Sequence, residues 1–331
     1  MAAAGPTPLS AVADAIKSGA VRKLVALTGA GCSVAAGIPD FRSPGGMYDT
    51  LRPELLTATE ADRDVMRRDP TWVVNKELFT RNQFPYCELR RPFIVGIAES
   101  KWKPTAGHYF FKIAHDKGIL HRLYTQNIDG LDHALGLPPA KVVSVHGTMG
   151  KIRCEACGAP GPDGGSPQAF AALVRSHIKD IYKQDPAAPA ESTPINCEAC
   201  GKPQLKPATV LYGGAMPQEF FAACDADFDG DAPAAPDMMI VAGTSLQVFP
   251  AASLPGKMPP GAPVVLVNKE PVGMPGMIFL QGACDEQLLW LCAAVGWLDD
   301  MVAAADAGKL APGSTEFVKK FAATHAEFGA L

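Results

Sequence analysis

Short apolar, β-branched runs recur along the chain at 23–28, 120–126, 142–145, 209–212, 238–242, 264–268 and 277–280. Each predicts a strand. Residues 104–117 and 286–295 carry apolar positions at helical spacing instead. Near-continuous apolar strands alternating with helices predict an α/β fold: a doubly wound, Rossmann-like parallel sheet covered on both faces. Leu9, Val12 and Ile16 recur at helical spacing behind Thr7 and Pro8, which predicts a first helix with its cap and first turn. Two regions break the alternation. Residues 51–103 read as helices with polar joins. Residues 151–204 contain CGAPGPDGGSPQ and QDPAAPAESTP, which cannot build a core of their own. Residues 222–236 read as a loop on the same grounds. The expected organisation is a sheet domain from 8–50, 104–150 and 205–300, a helical insertion at 51–103, a smaller module at 151–204 and a C-terminal helical segment at 301–331.

A chain of 331 residues can bury a sizeable core. Its net charge of −4, with no basic run, leaves no footprint for direct nucleic-acid or membrane-surface binding. No apolar run approaches the ~18–20 residues of a membrane span, and the N-terminus lacks the charged-then-apolar order of a secretory signal. A cytoplasmic location is expected, with entry into the nucleus left open. Nine cysteines in such a chain point to metal binding or free thiols rather than disulfides.

Four of those cysteines form two CEAC pairs, Cys154 with Cys157 and Cys197 with Cys200, each followed by a glycine, Gly158 or Gly201. Glycine relieves the tight turn that points two thiolates at one ion. Four thiolates predict one closed, tetrahedral, structural Zn2+ per chain, with no coordination position open to water. Cys32, Cys87, Cys224, Cys284 and Cys292 are scattered and read as buried apolar thiols.

The first strand runs into GAGCSVAAGIPDFRS, which is glycine-rich but wrongly spaced for a dehydrogenase: G-x-G-x-x-G would require glycine at Val34, and the third glycine arrives only at Gly37. Other predicted strands end in TQNIDGLD, with Gln126, Asn127 and Asp129, in VHGT, with His146, in AGTSLQVFPAA and in LVNKE. Ligands of doubly wound sheets bind at these carboxyl ends. His146 alone would read as a structural histidine; the other six histidines read as packed or surface residues. Taken together and in this order, with the cysteine pairs between HGT and GTSLQV, the motifs resemble the sirtuins, the NAD-dependent protein deacylases, and look like their class I branch. The resemblance covers about residues 8–300.

The resemblance implies that NAD serves as an electrophile rather than a hydride carrier, and that the products are nicotinamide, O-acyl-ADP-ribose and free lysine. It implies that Gly29, Ala30 and Gly31 let the backbone approach the pyrophosphate at a helix N-terminus, and that Asp40, Phe41 and Arg42 cover the nicotinamide ribose. Gln126, Asn127, Ile128 and Asp129 would meet that ribose and the carboxamide. Gly243, Thr244 and Ser245 would meet phosphate or ribose, Asn268, Lys269 and Glu270 the adenosine ribose, and Cys284 the adenine through its backbone. His146 is implied as general base and Asn127 as its catalytic companion. An acylated-lysine protein or peptide would lie as a strand between 210–217 and 246–253, against Val210, Leu211, Tyr212, Gly213 and Val248. The chain departs from the family where Tyr212–Gly213–Gly214 stands in place of the common Phe-Gly-Glu, which implies an altered peptide preference. Tyr48 and Arg52 are four apart, not in the Tyr-x-x-Arg spacing with which one branch selects acidic acyl groups, so short neutral acyl groups are expected. Two other readings stay open: a mono-ADP-ribosyltransferase acting on protein, and a zinc-module binding protein with a decayed nucleotide site.

Overall fold

The computed structural model describes residues 7–39, 45–228 and 235–329. Eight strands are present among them: β1 (Leu24–Thr28), β2 (Leu120–Thr125), β3 (Val142–Ser144), β4 (Gly147–Cys154), β5 (Leu205–Thr209), β6 (Met238–Ala242), β7 (Val264–Asn268) and β8 (Ile278–Gln281). Six of them form one sheet in the order β3-β2-β1-β6-β7-β8, every neighbouring pair parallel. Counted among themselves these six run 3-2-1-4-5-6, the doubly wound arrangement. The strand order reverses between β1 and β6, which pair in register from Leu24↔Met238 to Thr28↔Ala242.

All five residues of β1 and of β6 are buried, so neither strand needs a polar face; this is why LVALT and MMIVA read as unbroken apolar runs. Successive side chains still alternate between faces. Leu24 and Ala26 join a core with Val12, Phe110 and Leu288 from helices Pro8–Lys17, Ala106–Asp116 and Cys284–Ala294. Val25 and Leu27 join Phe220 and Leu254 on the other face. The predicted cap of the first helix is present, with Thr7 Oγ1 accepting from the Ser10 N–H at 3.3 Å. No helix among the described residues is long and apolar enough to cross a membrane.

Two insertions build a second body beside the sheet. Helix Phe84–Ala98 supplies Tyr86, Leu89 and Ile94, and the later insertion supplies Ile152, Phe170 and Val174, to one shared core. Residues 151–204 thus obtain a core by borrowing it, and Pro167–His177 is helical because Phe170, Ala171 and Val174 share one face.

Two expectations require correction. The strand expected at 209–212 is β5, four residues earlier, antiparallel to β4. Its Lys206–Pro207 pair hides the strand pattern, while Tyr212 makes only a single parallel bridge to Asn75. Of the loop expected at 222–236, residues up to Phe228 belong to helix Gln218–Phe228. Asp227 is the reason. It is fully buried, accepting from Arg122 Nη2 at 2.7 Å, Arg122 Nε at 2.8 Å and the Tyr124 hydroxyl at 2.7 Å, with His121 Nε2 at 3.0 Å. Burial alone would raise its pKa; these partners outweigh that and hold it well below the usual carboxylate range.

Candidate active site

A cleft of about 910 Å3 opens at the carboxyl ends of β1 and β6, the reversal point of the sheet. Its floor is two backbone loops in direct contact. A Cβ at Gly31 would lie 2.7 Å from Gly243 Cα, and one at Gly29 would lie 2.6 Å from Thr244 Cβ. The loops are stitched by Gly29 N–H to Ala242 O and Gly31 N–H to Gly243 O, both at 2.9 Å. These glycines therefore serve loop-to-loop approach as well as any ligand. Beyond Gly29, β1 does not run into an α-helix as expected but into two short 3-10 turns, Ala30–Cys32 and Val34–Ala36. Gly37, at φ +85°, ends the second turn in the left-handed region. Ala30 lines the cleft. Asp40, Phe41 and Arg42 lie outside the described residues.

His146 stands between β3 and β4 and lines the cleft. Its Nδ1 is 3.0 Å from the Gln126 carbonyl oxygen. That oxygen can only accept, so Nδ1 carries the hydrogen and Nε2 the lone pair. Nε2 is buried with no hydrogen-bond partner. Burial pushes the imidazole pKa down, against a smaller upward effect of the Gln126 hydrogen bond. The ring is thus a neutral base with its accepting nitrogen unspent.

Around it the β2 end is closely tied. Asn127 is buried; its Nδ2 donates to Gly29 O at 3.0 Å and Ser33 Oγ at 3.3 Å, leaving Oδ1 as its unspent side-chain acceptor. Gln126 Nε2 donates to Thr244 Oγ1 at 3.0 Å, joining the β2 and β6 ends. Asp129 is buried behind them, accepting from Ser33 Oγ at 2.6 Å and from the Leu131 N–H at 2.9 Å. It holds the loop rather than lining the cleft, which Ile128 does.

The opposite arm of the cleft takes in Gly243, Thr244, Ser245, Asn268, Lys269, Glu270 and Cys284. Lys269 and Glu270 are exposed, while Cys284 opens helix Cys284–Ala294 and is buried. Asp285 also lines this arm and was not singled out by its sequence. It accepts from Gly107 N–H at 2.9 Å and from the Ser314 hydroxyl of helix Pro312–Gly329, so it braces three helices beneath the site. An acid in the first turn of a predicted helix was its only sequence signal.

Val210, Leu211, Tyr212, Gly213 and Val248 line the remaining wall. Part of the Val210–Gly213 backbone expected to face a peptide is already spent. Val210 N–H donates to His146 O at 2.8 Å, and Tyr212 donates to Val74 O at 3.1 Å and accepts from Lys76 N–H at 2.9 Å. Leu211 N–H and Gly213 have no backbone partner among the described residues. Phe249, 73% exposed, flanks this wall. Gly214 closes a turn by donating to Leu211 O at 2.8 Å, and a Cβ there would lie 2.9 Å from that same oxygen. Gly214→Glu should therefore shift preference between acidic and basic peptides by about 1 kcal/mol, the scale of one charged hydrogen bond, and lower the melting temperature through the opened turn. Gly214→Ala carries the strain without the charge. Identical peptide kinetics for all three proteins would show the position idle.

The four expected metal ligands converge. The sulfurs of Cys154, Cys157, Cys197 and Cys200 lie within 4.8 Å of one another, with Cys154–Cys200 at 3.7 Å and Cys157–Cys197 at 3.8 Å. Tetrahedral ligands at ~2.3 Å from zinc stand about 3.8 Å apart, so the donors fit Zn2+. Each pair sits in a turn closed by Gly158 N–H to Cys154 O at 2.9 Å or Gly201 N–H to Cys197 O at 2.8 Å, both glycines at positive φ. The strand β4 runs from the residue after His146 to Cys154.

Sheet order, cleft position and the four converging cysteines define a doubly wound α/β protein with a ligand cleft at its switch point and a metal-binding module. The Sir2 family model matches residues 29–250, from the first glycine of the cleft floor to the turn after Phe249, and the chain belongs to that family. It is 36% identical over 298 residues to NAD-dependent protein deacetylase hst2 of Schizosaccharomyces pombe, covering 88% of this chain and 78% of that protein. It is 31% identical over 319 residues to NAD-dependent protein deacetylase sirtuin-2 of Danio rerio, covering 89% and 74%. With sirtuin-3 of Mus musculus, also named an NAD-dependent protein deacetylase, it shares 33% over 266 residues, covering 80% and 67%.

Proposed function

We propose that this protein removes acyl groups from lysine side chains of other proteins, consuming one NAD per lysine. The observation that carries the reading is the neutral, unpartnered Nε2 of His146 at the wall of a nucleotide-sized cleft. The unspent polar atom and the close-packed glycine floor fit a dinucleotide with its ribose at the β2 end. NAD supplies an electrophilic ribose carbon with nicotinamide as its leaving group. His146 Nε2 accepts the proton of a ribose hydroxyl, and the Gln126 carbonyl holds the ring in the accepting tautomer. Asn127 directs its free oxygen to the ribose while its amide nitrogen clamps Gly29 and Ser33. The wall formed by Val210 to Gly213 and Val248 holds the acyl-lysine segment, and Leu211 and Ile128 screen the reacting groups from water.

Incubation with NAD and an acetyl-lysine peptide should release one nicotinamide per lysine freed, with no NADH absorbance. NADH without nicotinamide would make the protein a dehydrogenase. Nicotinamide with ADP-ribose attached to protein, and no freed lysine, would make it an ADP-ribosyltransferase.

A further inference from the structure

Two thiols meet beneath the cleft floor. Cys32 ends the Ala30–Cys32 turn and is fully buried, while Cys284, 5% exposed, opens helix Cys284–Ala294 and lines the cleft. Cys32 Sγ donates to Ala242 O at 3.5 Å, and Cys284 Sγ to Val267 O at 4.0 Å. Ala242 and Val267 are paired residues of β6 and β7, and the two thiols above them hydrogen-bond to each other. Adjacent strands stand about 4.8 Å apart, within the ~4.4–6.8 Å that the Cα atoms of a disulfide span. A third segment touches both cysteines. Thr105 Oγ1 donates to Cys32 O at 2.9 Å, and a Cβ at Gly107 would lie 3.4 Å from Cys284 Cβ. Cys292, on the same helix as Cys284, donates instead to Trp297 O at 3.3 Å.

The two thiols differ in access and in character. Cys284 can be reached through the cleft, whereas Cys32 does not line it. The Cys284 thiol beside it, its own burial and the carboxylates of Asp132 and Asp285 push the Cys32 pKa well up, so Cys32 stays protonated. A reachable sulfur that reacts first, backed by a sealed sulfur that follows, is the arrangement of an attacking and a resolving cysteine. The pair also joins the two arms of the cleft. Cys32 N–H donates to Gly29 O at 3.0 Å, so its position sets the turn whose Ala30 and Gly31 line one arm. Cys284 follows Gly282 and Ala283 on the other.

We propose that Cys32 and Cys284 form a reversible oxidation site, in which a hydroperoxide closes a disulfide across the cofactor floor. Cys284 Sγ gives up its proton and attacks one peroxide oxygen. The O–O bond breaks, an S–OH group forms, and the other oxygen leaves with that proton as water or an alcohol. Cys32 Sγ then attacks Cys284 Sγ. The S–S bond forms, the S–O bond breaks, and the Cys32 proton leaves with the departing hydroxide as water. Two thiols thus lose two protons and two electrons, and the peroxide takes both. An external dithiol reverses the step by exchange. Closing the bond draws Cys32 toward the opposite arm and displaces the turn that carries Ala30 and Gly31. For its effect on NAD, though not for the bond itself, the inference rests on the deacylase reading above. It departs from the expectation that both cysteines are inert apolar thiols.

The test treats the full, zinc-loaded chain with hydrogen peroxide and then with a dithiol. Cysteines are mapped by mass spectrometry after digestion with a protease that separates Cys284 from Cys292. The expected product lacks two hydrogens, joins the Cys32 and Cys284 peptides, forms before zinc is released, and reverts with the dithiol. NAD added first should slow its formation by covering Cys284. In the oxidised protein kcat/KM for NAD should fall by roughly 10- to 100-fold, up to the cost of an about 1 Å misplacement near a reacting centre. Cys32→Ser should lose this dithiol-reversible fall. Two results overturn the proposal. One is that Cys32 and Cys284 are both still alkylated as free thiols at peroxide doses that already release zinc. The other is a dithiol-reversible fall of the same size in Cys32→Ser. If Cys32→Ser does not fold, the mapped bond in the intact protein decides. A mapped Cys32–Cys284 bond, with neither protection by NAD nor nicotinamide release, upholds the oxidation site and removes the deacylase reading instead.

Discussion

Replacing His146 by alanine should cut the deacylation rate by ~10^2–10^4-fold, the contribution of a positioned acid–base residue, while NAD affinity stays close to that of the intact protein. The separation follows from geometry. The ring meets the cleft through one unspent nitrogen, whereas the loops that would hold a dinucleotide are built from β1, β2 and β6. Asn127→Ala should behave differently and impair nicotinamide release itself, because it also frees Gly29 and Ser33 from their clamp. The pH profile is a further check. Burial lowers the His146 pKa from its ordinary 6.5, so the ring stays neutral down to lower pH than a free imidazole. Activity should be flat through neutrality and fall only below 6.5, as the base is protonated. Below that pH the unfolded chain takes up the proton more readily than the folded one, so stability should rise with pH across the same window. A His146→Ala protein with undiminished deacylation, or an acid limb centred above 7, would remove His146 as the base.

Withdrawing zinc should unfold the smaller body and take activity with it. The freshly purified protein should hold about one zinc per chain. Structural zinc contributes ~10–16 kcal/mol in small peptide domains, as much as the whole stability of a typical domain. Here the body it braces has no other covalent tie: every cysteine is free, and Cys154 and Cys197 are themselves part of the core shared by the two insertions. The loss should reach His146 through β4, which joins that residue to the first ligand. Cys197→Ala should therefore aggregate or melt at a markedly lower temperature, and chelation at moderate temperature should reproduce that melting curve. Metal analysis returning no zinc would remove the claim. Full activity after complete zinc removal would show that the module does not support the site.

The sequence by itself determined the parts that rest on local chemistry. An apolar run long enough to fill a buried strand reads as such without its neighbours, so β1, β2, β6 and β7 were legible. The cysteine pairs were legible because four thiolates with glycine-relieved turns have few other uses. The strand-end motifs were legible because a doubly wound sheet puts its ligand there. Tertiary structure decided whatever depends on which groups meet across the fold. Gly31 faces Gly243 because parallel pairing brings the ends of β1 and β6 side by side. Asp227 could enter a helix only because β2 presents Arg122, His121 and Tyr124 to it. The 151–204 segment, too poor in apolar residues to fold alone, found its core on helix Phe84–Ala98. Asp285 was hidden for the same reason: a charged residue in a helix reads as solvated unless burial and partners are known, and those are properties of contacts between segments far apart in the chain.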